Sequence, residues 1–274
     1  MRSQPQSTIP LGIQVDHEGT YHPAHLFPVP RKEARTDLGL ETNLPFTGVD
    51  IWNAYELSWL NAKGKPLVAL GELVFPCTAP NIVESKSLKL YFNSFNQTRF
   101  DSRDQVVGCI QKDLTRCVKG EVQVSLYSPG QASPFSISTP RGTCIDHLDI
   151  SADEYEVNPK FLMAGTAAAA ETLYSNLLRT NCPVTRQPDW ATVFISYSGP
   201  AVDHEGLLKY LISYRCHTGF HENCVERIFM DLLTRCRPDT LTVSARFTRR
   251  GGIDINPFRT TRDSAMVNLR LVRQ

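Results

Sequence analysis

VVGCIQKDLTRCVKG, residues 106–120, and NCVERIFMDLLTRCRP, residues 223–238, share the tetrapeptide Leu-Thr-Arg-Cys at 114–117 and 233–236. The same offset of 119 puts Tyr55 on Tyr174, Val74 and Phe75 on Val193 and Phe194, and Leu88, Tyr91 and Ser94 on Leu207, Tyr210 and Ser213. Phe95 falls on Tyr214, and Val124 and Ser125 fall on Val243 and Ser244. A single ungapped register from 55 to 125 argues for two tandem copies of one module.

Each copy carries the same signals. In the first, AYELSWLN (54–61) and LGELVFPC (70–77) flank the turn NAKGKP and read as a long hairpin. In the second, TLYSNLLRT (172–180) and WATVFISYSG (190–199) flank NCPVTRQP. The stretch 166–179 reads as strand, with helix the alternative because the run AAAAETL favours it. KSLKLYFNSF (86–95) and GLLKYLISY (206–214) then read as amphipathic helices. In VVGCIQKDLTRCVKG, Val106, Ile110, Leu114 and Cys117 share one helical face and a Gly follows as a stop. EVQVSLYS (121–128) and TLTVSARFTRR (240–250) alternate as strands. The order strand, strand, helix, helix, strand gives an α+β fold with a mostly antiparallel sheet. Residues 1–44 read as an N-terminal arm, 45–150 and 151–274 as the two modules, with 129–160 as a connecting stretch.

The chain of 274 residues, 41% hydrophobic and 21% charged, has a formal net charge of +1. Nothing marks it as a binder of nucleic acid or of a membrane surface. MRSQPQSTIPLG (1–12) has no apolar core, so no secretory signal is expected, and MAGTAAAA is too short to span a bilayer. The eight cysteines include no CxxC pair and are expected to be reduced. No GxGxxG follows a strand and no GxxxxGK[ST] occurs, so a bound nucleotide would not rest on a Rossmann or P-loop device.

Differences between the copies point to a site. Cys182 and Asp189, in TNCPVTRQPDW (180–190), stand where the first copy has Lys63 and Leu70. Four readings of Cys182 stand open: a buried filler, half of a disulfide, a metal ligand or a nucleophile. ESKSLKLY (84–91) places Lys86 and Lys89 on one helical face, where the second copy has DHEGLLKY; this is a solvated face or an anion site. Chemistry in the second copy and a charged ligand held partly by the first would put the site between modules. CHTGFHENC (216–224) offers His217, His221 and Cys224 as a zinc set if helical, although Gly219 opposes a regular helix there. Alternatively, His221 donates a proton while Glu222 accepts two N–H bonds from a guanine-like edge. In TRRGGIDINP (248–257), Arg249 and Arg250 precede two glycines, a solvated basic turn or a phosphate contact.

ESKSLKLYFNSFNQTRF, NCPVTRQPDW, FHENCVERIF and FTRRGGIDINP, with LPFTGVDIWNAYELSWLNAKG near the start, resemble the long, two-module form of the 7-cyano-7-deazaguanine reductases. The resemblance spans nearly the whole chain without a departure at the motif positions. It implies tandem tunnelling-fold modules in a cytoplasmic homodimer, without metal, reducing preQ0 to preQ1 with NADPH in queuosine biosynthesis, with no direct contact to nucleic acid. It also implies Cys182 as nucleophile, Asp189 as proton donor and His221 as a further proton carrier. Val83, Glu84, Ser85, His221 and Glu222 would hold the substrate, and Ser85, Lys86, Arg250 and Gly251 the cofactor. Two rivals remain: a zinc-dependent pterin or purine ring-opening enzyme of the same fold, and a non-enzymatic nucleotide-binding scaffold.

Overall fold

The computed structural model describes residues 20–40, 43–130 and 135–274. Residues 1–19 and 41–42 of the expected arm, including the stretch 1–12, lie outside the described residues. The described part of the arm holds β1 (Pro28–Pro30) and α1 (Lys32–Thr36). The first half follows as β2 (Thr47–Leu60), β3 (Pro66–Pro76), β4 (Asn81–Val83), α2 (Ser85–Asn93), α3 (Arg103–Val118) and β5 (Gln123–Tyr127). After β6 (Thr143–Cys144) the second half repeats the order with β7 (Ala164–Asn181), β8 (Pro188–Val202), α4 (His204–Ser213), α5 (His221–Cys236) and β9 (Thr240–Phe247), then adds β10 (Ile253–Thr260).

Eight strands form one sheet in the order β5-β3-β2-β10-β9-β8-β7-β6. All neighbours are antiparallel except β6 with β7. β10 is the seam, with one side on β2 of the first half and the other on β9 of the second. Nothing in the sequence anticipates this strand, because its partner β2 lies some two hundred positions upstream.

Alternation along the strands separates the two faces of the sheet. Ala191, Val193, Ile195 and Tyr197 of β8 and Leu241, Val243, Ala245 and Phe247 of β9 are buried in one cluster with Leu207, Tyr210, Val225, Ile228, Phe229 and Leu232 of α4 and α5. Trp52, Ala54, Leu73 and Phe75 pack likewise with Leu88, Tyr91, Ile110 and Leu114 of α2 and α3. The repeated sequence therefore yields two repeated half-cores on one side of a shared sheet. The 18-residue β7, alanine run included, is strand because it pairs with β8 for nearly its whole length. Tertiary pairing overrides the local helix propensity of alanine.

Helix ends follow local chemistry. The Ser102 hydroxyl accepts the Gln105 amide at 3.2 Å and starts α3. The helix stops at Lys119, which takes the left-handed conformation at φ 57°, one residue before the expected glycine. Gly120 is needed for a different reason: a Cβ there would stand 2.7 Å from that of Ala79.

Under the seam lies a buried ionic cluster drawn from the arm and both halves. Arg259 of β10, fully buried, donates to Asp50 of β2 at 2.8 Å and to Glu226 of α5 at 2.8 and 3.0 Å. Arg35 of α1 reaches Glu226 at 2.7 and 2.9 Å, and Arg31 reaches Asp50 at 2.5 Å. Burial alone would push both carboxyls up, yet the guanidiniums more than offset it and hold Asp50 and Glu226 below the usual carboxylate range. Removing one member strands its partners, so Arg259→Leu is expected to cost about 3–5 kcal/mol of stability. Denaturant unfolding at neutral pH measures it.

Candidate active site

Two helix N-termini, one from each half, meet over the seam. Val83 ends β4 and Ser85 opens α2; His221 and Glu222 open α5; Cys182 and Pro183 lie in the turn after β7, and Asp189 is the second residue of β8. Together with Trp52, Ile82, Phe220, Arg250 and Ile255 they line one pocket on the helical side of the sheet. About 10 Å³ of free space remains in it, room for roughly one water. A wider groove of about 660 Å³ lies elsewhere, along β2, β3 and the segment from Ser264 to Asn268, and none of the described residues lining it is a cysteine or histidine.

The turn from 182 to 187 brings sulfur and carboxylate together. The Cys182 amide donates to the Gln187 carbonyl and the Arg186 amide to the Cys182 carbonyl, both at 2.9 Å. Arg186 takes φ 57° to close the turn. Thr180 then stands opposite Asp189 in the β7–β8 ladder, and the sulfur follows two residues later. Cys182 is 8% exposed, and the Thr185 amide donates to its Sγ at 3.5 Å. Burial would push this thiol up, but hydrogen bonds from Thr185, from the Val184 amide and from Arg250 outweigh it and bring the thiol below its ordinary value.

Asp189 shows the opposite balance. Burial pushes its carboxyl up, and Arg250 and Lys89 offset that only in part. Arg250 Nε contacts Asp189 Oδ1 at 2.7 Å, while its Nη1 donates to Gln187 at 2.8 Å. Asp189 Oδ2 is buried and has no hydrogen-bond partner among the described residues. His221 Nε2 lies 3.7 Å from it, beyond hydrogen-bond length. The His221 ring meets Phe247 edge-on at 4.0 Å, and burial with Arg250 and Lys89 nearby pushes it down to about 3, so it is neutral imidazole at pH 7.

Glu222 is 1% exposed and its Oε1 has no hydrogen-bond partner among the described residues. Burial and the neighbouring Asp50 push it up to about 7, against Arg31 and Arg259. Glu84 is committed elsewhere: its carboxylate caps α2, accepting the Lys86 amide at 2.9 Å and the Ser87 amide at 2.7 Å. Glu84, Lys86 and Gly251 do not line the pocket. Lys89 is closer to the chemistry than Lys86. Burial and Arg250 lower it, while Glu84, Cys182 and Asp189 draw it the other way. Arg250–Ile253 is a tight turn closed by paired hydrogen bonds, with Gly251 at φ 57° and Gly252 at φ 74°. A Cβ on Gly251 would stand 3.0 Å from Lys89 Cε, so glycine is what lets the lysine lie against the turn.

The zinc set does not assemble. His217 lies in the turn before α5, edge-on to Tyr214, and among the described residues no three His, Cys, Asp or Glu side chains converge on a metal position. All eight cysteines are free thiols. Cys224 is fully buried and pushed up to about 12, unlike Cys182. Trp52, Ile82, Phe220 and Ile255 were absent from the expected site; apolar residues carry no chemical signal, and only the pairing of β2 with β10 brings Trp52 beside Ile255.

Residues 17–126 match a family described as "Nitrile reductase, 7-cyano-7-deazaguanine-reductase N-term", and residues 188–266 match one described as "QueF-like protein". Over 268 residues the chain is 61% identical to the NADPH-dependent 7-cyano-7-deazaguanine reductase of Desulfotalea psychrophila, covering 97% of each. The enzyme of that name from Burkholderia multivorans is 52% identical over 268 residues, 97% of this chain and 98% of the relative. That from Azoarcus sp. is 52% identical over 253 residues, 92% and 90% of the two chains.

Proposed function

The chain belongs to the NADPH-dependent 7-cyano-7-deazaguanine reductases, and on that premise we propose that it reduces the nitrile of preQ0 to the aminomethyl group of preQ1 in the Cys182 pocket. The observation that carries this reading is the pairing of a thiol held below its ordinary value with a carboxyl held above it, in one buried pocket.

A nitrile carbon resists hydride because charge develops on an unsupported nitrogen. Sulfur from Cys182 bonds to that carbon, one C–N π bond breaks, and the nitrogen takes a proton from Asp189, leaving a thioimide. The thiol's own proton replaces the one that Asp189 gives up, so no net proton is consumed. NADPH, when bound, supplies the two hydrides that carry the thioimide carbon to the amine. Between them the sulfur leaves as thiolate and an imine remains, which water would hydrolyse. The narrow pocket serves that stage: with about 10 Å³ of free space, little room is left for water beside a bound ring. Val83 and Ser85 wall the ring, His221 relays protons as neutral imidazole, and the free Oε1 of Glu222 accepts from the guanine-like edge.

Cofactor phosphates require cations without a Rossmann loop. Arg250 beside Gly251, with Lys89 packed against that turn and Lys86 one helical turn before it, fits this need. Replacing Lys86 with alanine is expected to raise the NADPH KM about tenfold while changing preQ0 affinity less than about twofold, the size of one lost charged contact. Initial-rate kinetics with each substrate varied separately checks this; the opposite pattern moves the cofactor elsewhere. The repeated element order supports the modules 45–150 and 151–274, and the family resemblance supports a cytoplasmic homodimer. The direct test is NADPH absorbance: oxidation only with preQ0 present, two NADPH per nitrile, supports the reading, and none refutes it.

A further inference from the structure

The buried cluster beneath the pocket has an odd charge. Three guanidiniums, Arg31, Arg35 and Arg259, face two carboxylates held ionised, Asp50 and Glu226. Among the described residues one positive charge is left over. Arg31 is the member least satisfied: it is 2% exposed, and among the described residues only its Nη2 is hydrogen-bonded, to Asp50 at 2.5 Å, while its buried Nε and Nη1 have no hydrogen-bond partner there. Nη1 stands 3.7 Å from Glu226. One helical turn before Glu226 on α5 is Glu222, whose Oε1 is the unpartnered buried acceptor at the pocket.

The arm fixes Arg31 there. Its amide donates to the Pro80 carbonyl at 2.9 Å, and β1 pairs with β4 through Pro28↔Val83. β4 leads directly into Ser85 and α2, and the Glu84 amide donates to the Phe27 carbonyl at 2.9 Å. One small sheet thus sets both a wall of the pocket and the cation beneath it.

We propose that Arg31 is a positioning residue for Glu222, supplying the uncompensated charge that favours the ionised form of this carboxylate, the form free to accept the N–H pair of the substrate's guanine-like edge. This rests on the reading that Glu222 grips the substrate. The groups facing Glu222 are Asp50 from β2, Arg31 from the arm and Arg259 from β10. On its own helix are His221, Cys224 and Glu226, and across the pocket Asp189 and Arg250. Asp50 and the two arginines act in opposite directions on it. An ionised Glu222 binds two donors and a protonated one cannot, so ligand affinity is full above its pKa and falls as pH drops through it.

The probe is 7-deazaguanine, which has the ring edge but no nitrile, titrated calorimetrically into the full chain across roughly pH 5.5 to 9. Wild type should lose affinity as pH falls through about 7. Arg31→Gln should move that break up by about one unit, weakening binding about tenfold at pH 7 with little change at the alkaline end. Arg31→Lys should stay near wild type, and Asp50→Asn should move the break down. A purely structural role for Arg31 predicts equal weakening at every pH; that result, or an unmoved break, overturns the proposal. Should Arg31→Gln not fold, the other two variants decide: a break that Asp50→Asn does not lower, or that Arg31→Lys raises as far as one unit, overturns it. If the wild type shows no break and Glu222→Gln binds as tightly as wild type, the gripping role itself has failed.

Discussion

Replacing Cys182 with alanine is expected to cut preQ0 reduction by about 10⁴-fold or more, because the whole reaction runs through one carbon–sulfur bond. Wild type incubated with preQ0 alone should gain the substrate's mass, and the same variant should not. Cys182→Ser should fail as well: the hydrogen bonds from Thr185, the Val184 amide and Arg250 bring a thiol below its ordinary value but leave a hydroxyl protonated. Folding should survive, since the lost sulfur lies in a turn closed by its backbone, through Gln187 and Arg186. Intact-protein mass spectrometry and NADPH oxidation measure the two effects together. An adduct of the same mass on Cys182→Ala would place the nucleophile elsewhere.

Comparing the copies placed Cys182 and Asp189 among the differences, since the first copy has Lys63 and Leu70 there, but Cys216 and Cys224 also differ, facing Gln97 and Gln105; the family resemblance, not the subtraction, gave Cys182 its role. Helices α2 to α5 and both hairpins were legible because their signals are periodic and local. β10 was not. Its eight residues are all buried, but Asp254, Asn256 and Arg259 interrupt any apolar pattern, and its meaning comes from β2 and β9 on either side. The ionic cluster was hidden by distance along the chain: Arg35 pairs with Glu226 across 191 positions and Arg259 with Asp50 across 209. Arg31 and Arg35, read as part of a polar arm, are core residues. Lys86 and Lys89 were equivalent on the page of sequence, three apart on a helix; only the turn at Gly251 selects Lys89 as the one against the site.

Replacing Asp189 with asparagine tests the other half of the chemistry. The amide keeps the size of the carboxyl and an oxygen toward Arg250, but it can neither take the thiol's proton nor give one to the nitrile nitrogen. Adduct formation should slow by about 10²–10⁴-fold, the usual worth of a positioned acid. The pH dependence separates this from a packing effect. In wild type the thiol and the carboxyl share one transferable proton, so the pair is active with one proton bound, inactive with two and inactive with none. The single-turnover rate at saturating preQ0 therefore rises as the first proton leaves and falls as the second leaves. The raised carboxyl and lowered thiol bring those two losses closer together than in free side chains, which narrows the bell. In the Asp189→Asn variant only the thiolate matters: the residual rate should rise with pH to a plateau, without the alkaline fall. Arg250 would then face an uncharged partner where Asp189 Oδ1 had stood 2.7 Å away, leaving it free to draw the thiol lower, so the plateau should begin at a lower pH than for an ordinary cysteine. Rapid-mixing measurement of thioimide formation across pH gives the profile; a variant that keeps the full bell at reduced height would remove Asp189 from the proton's path.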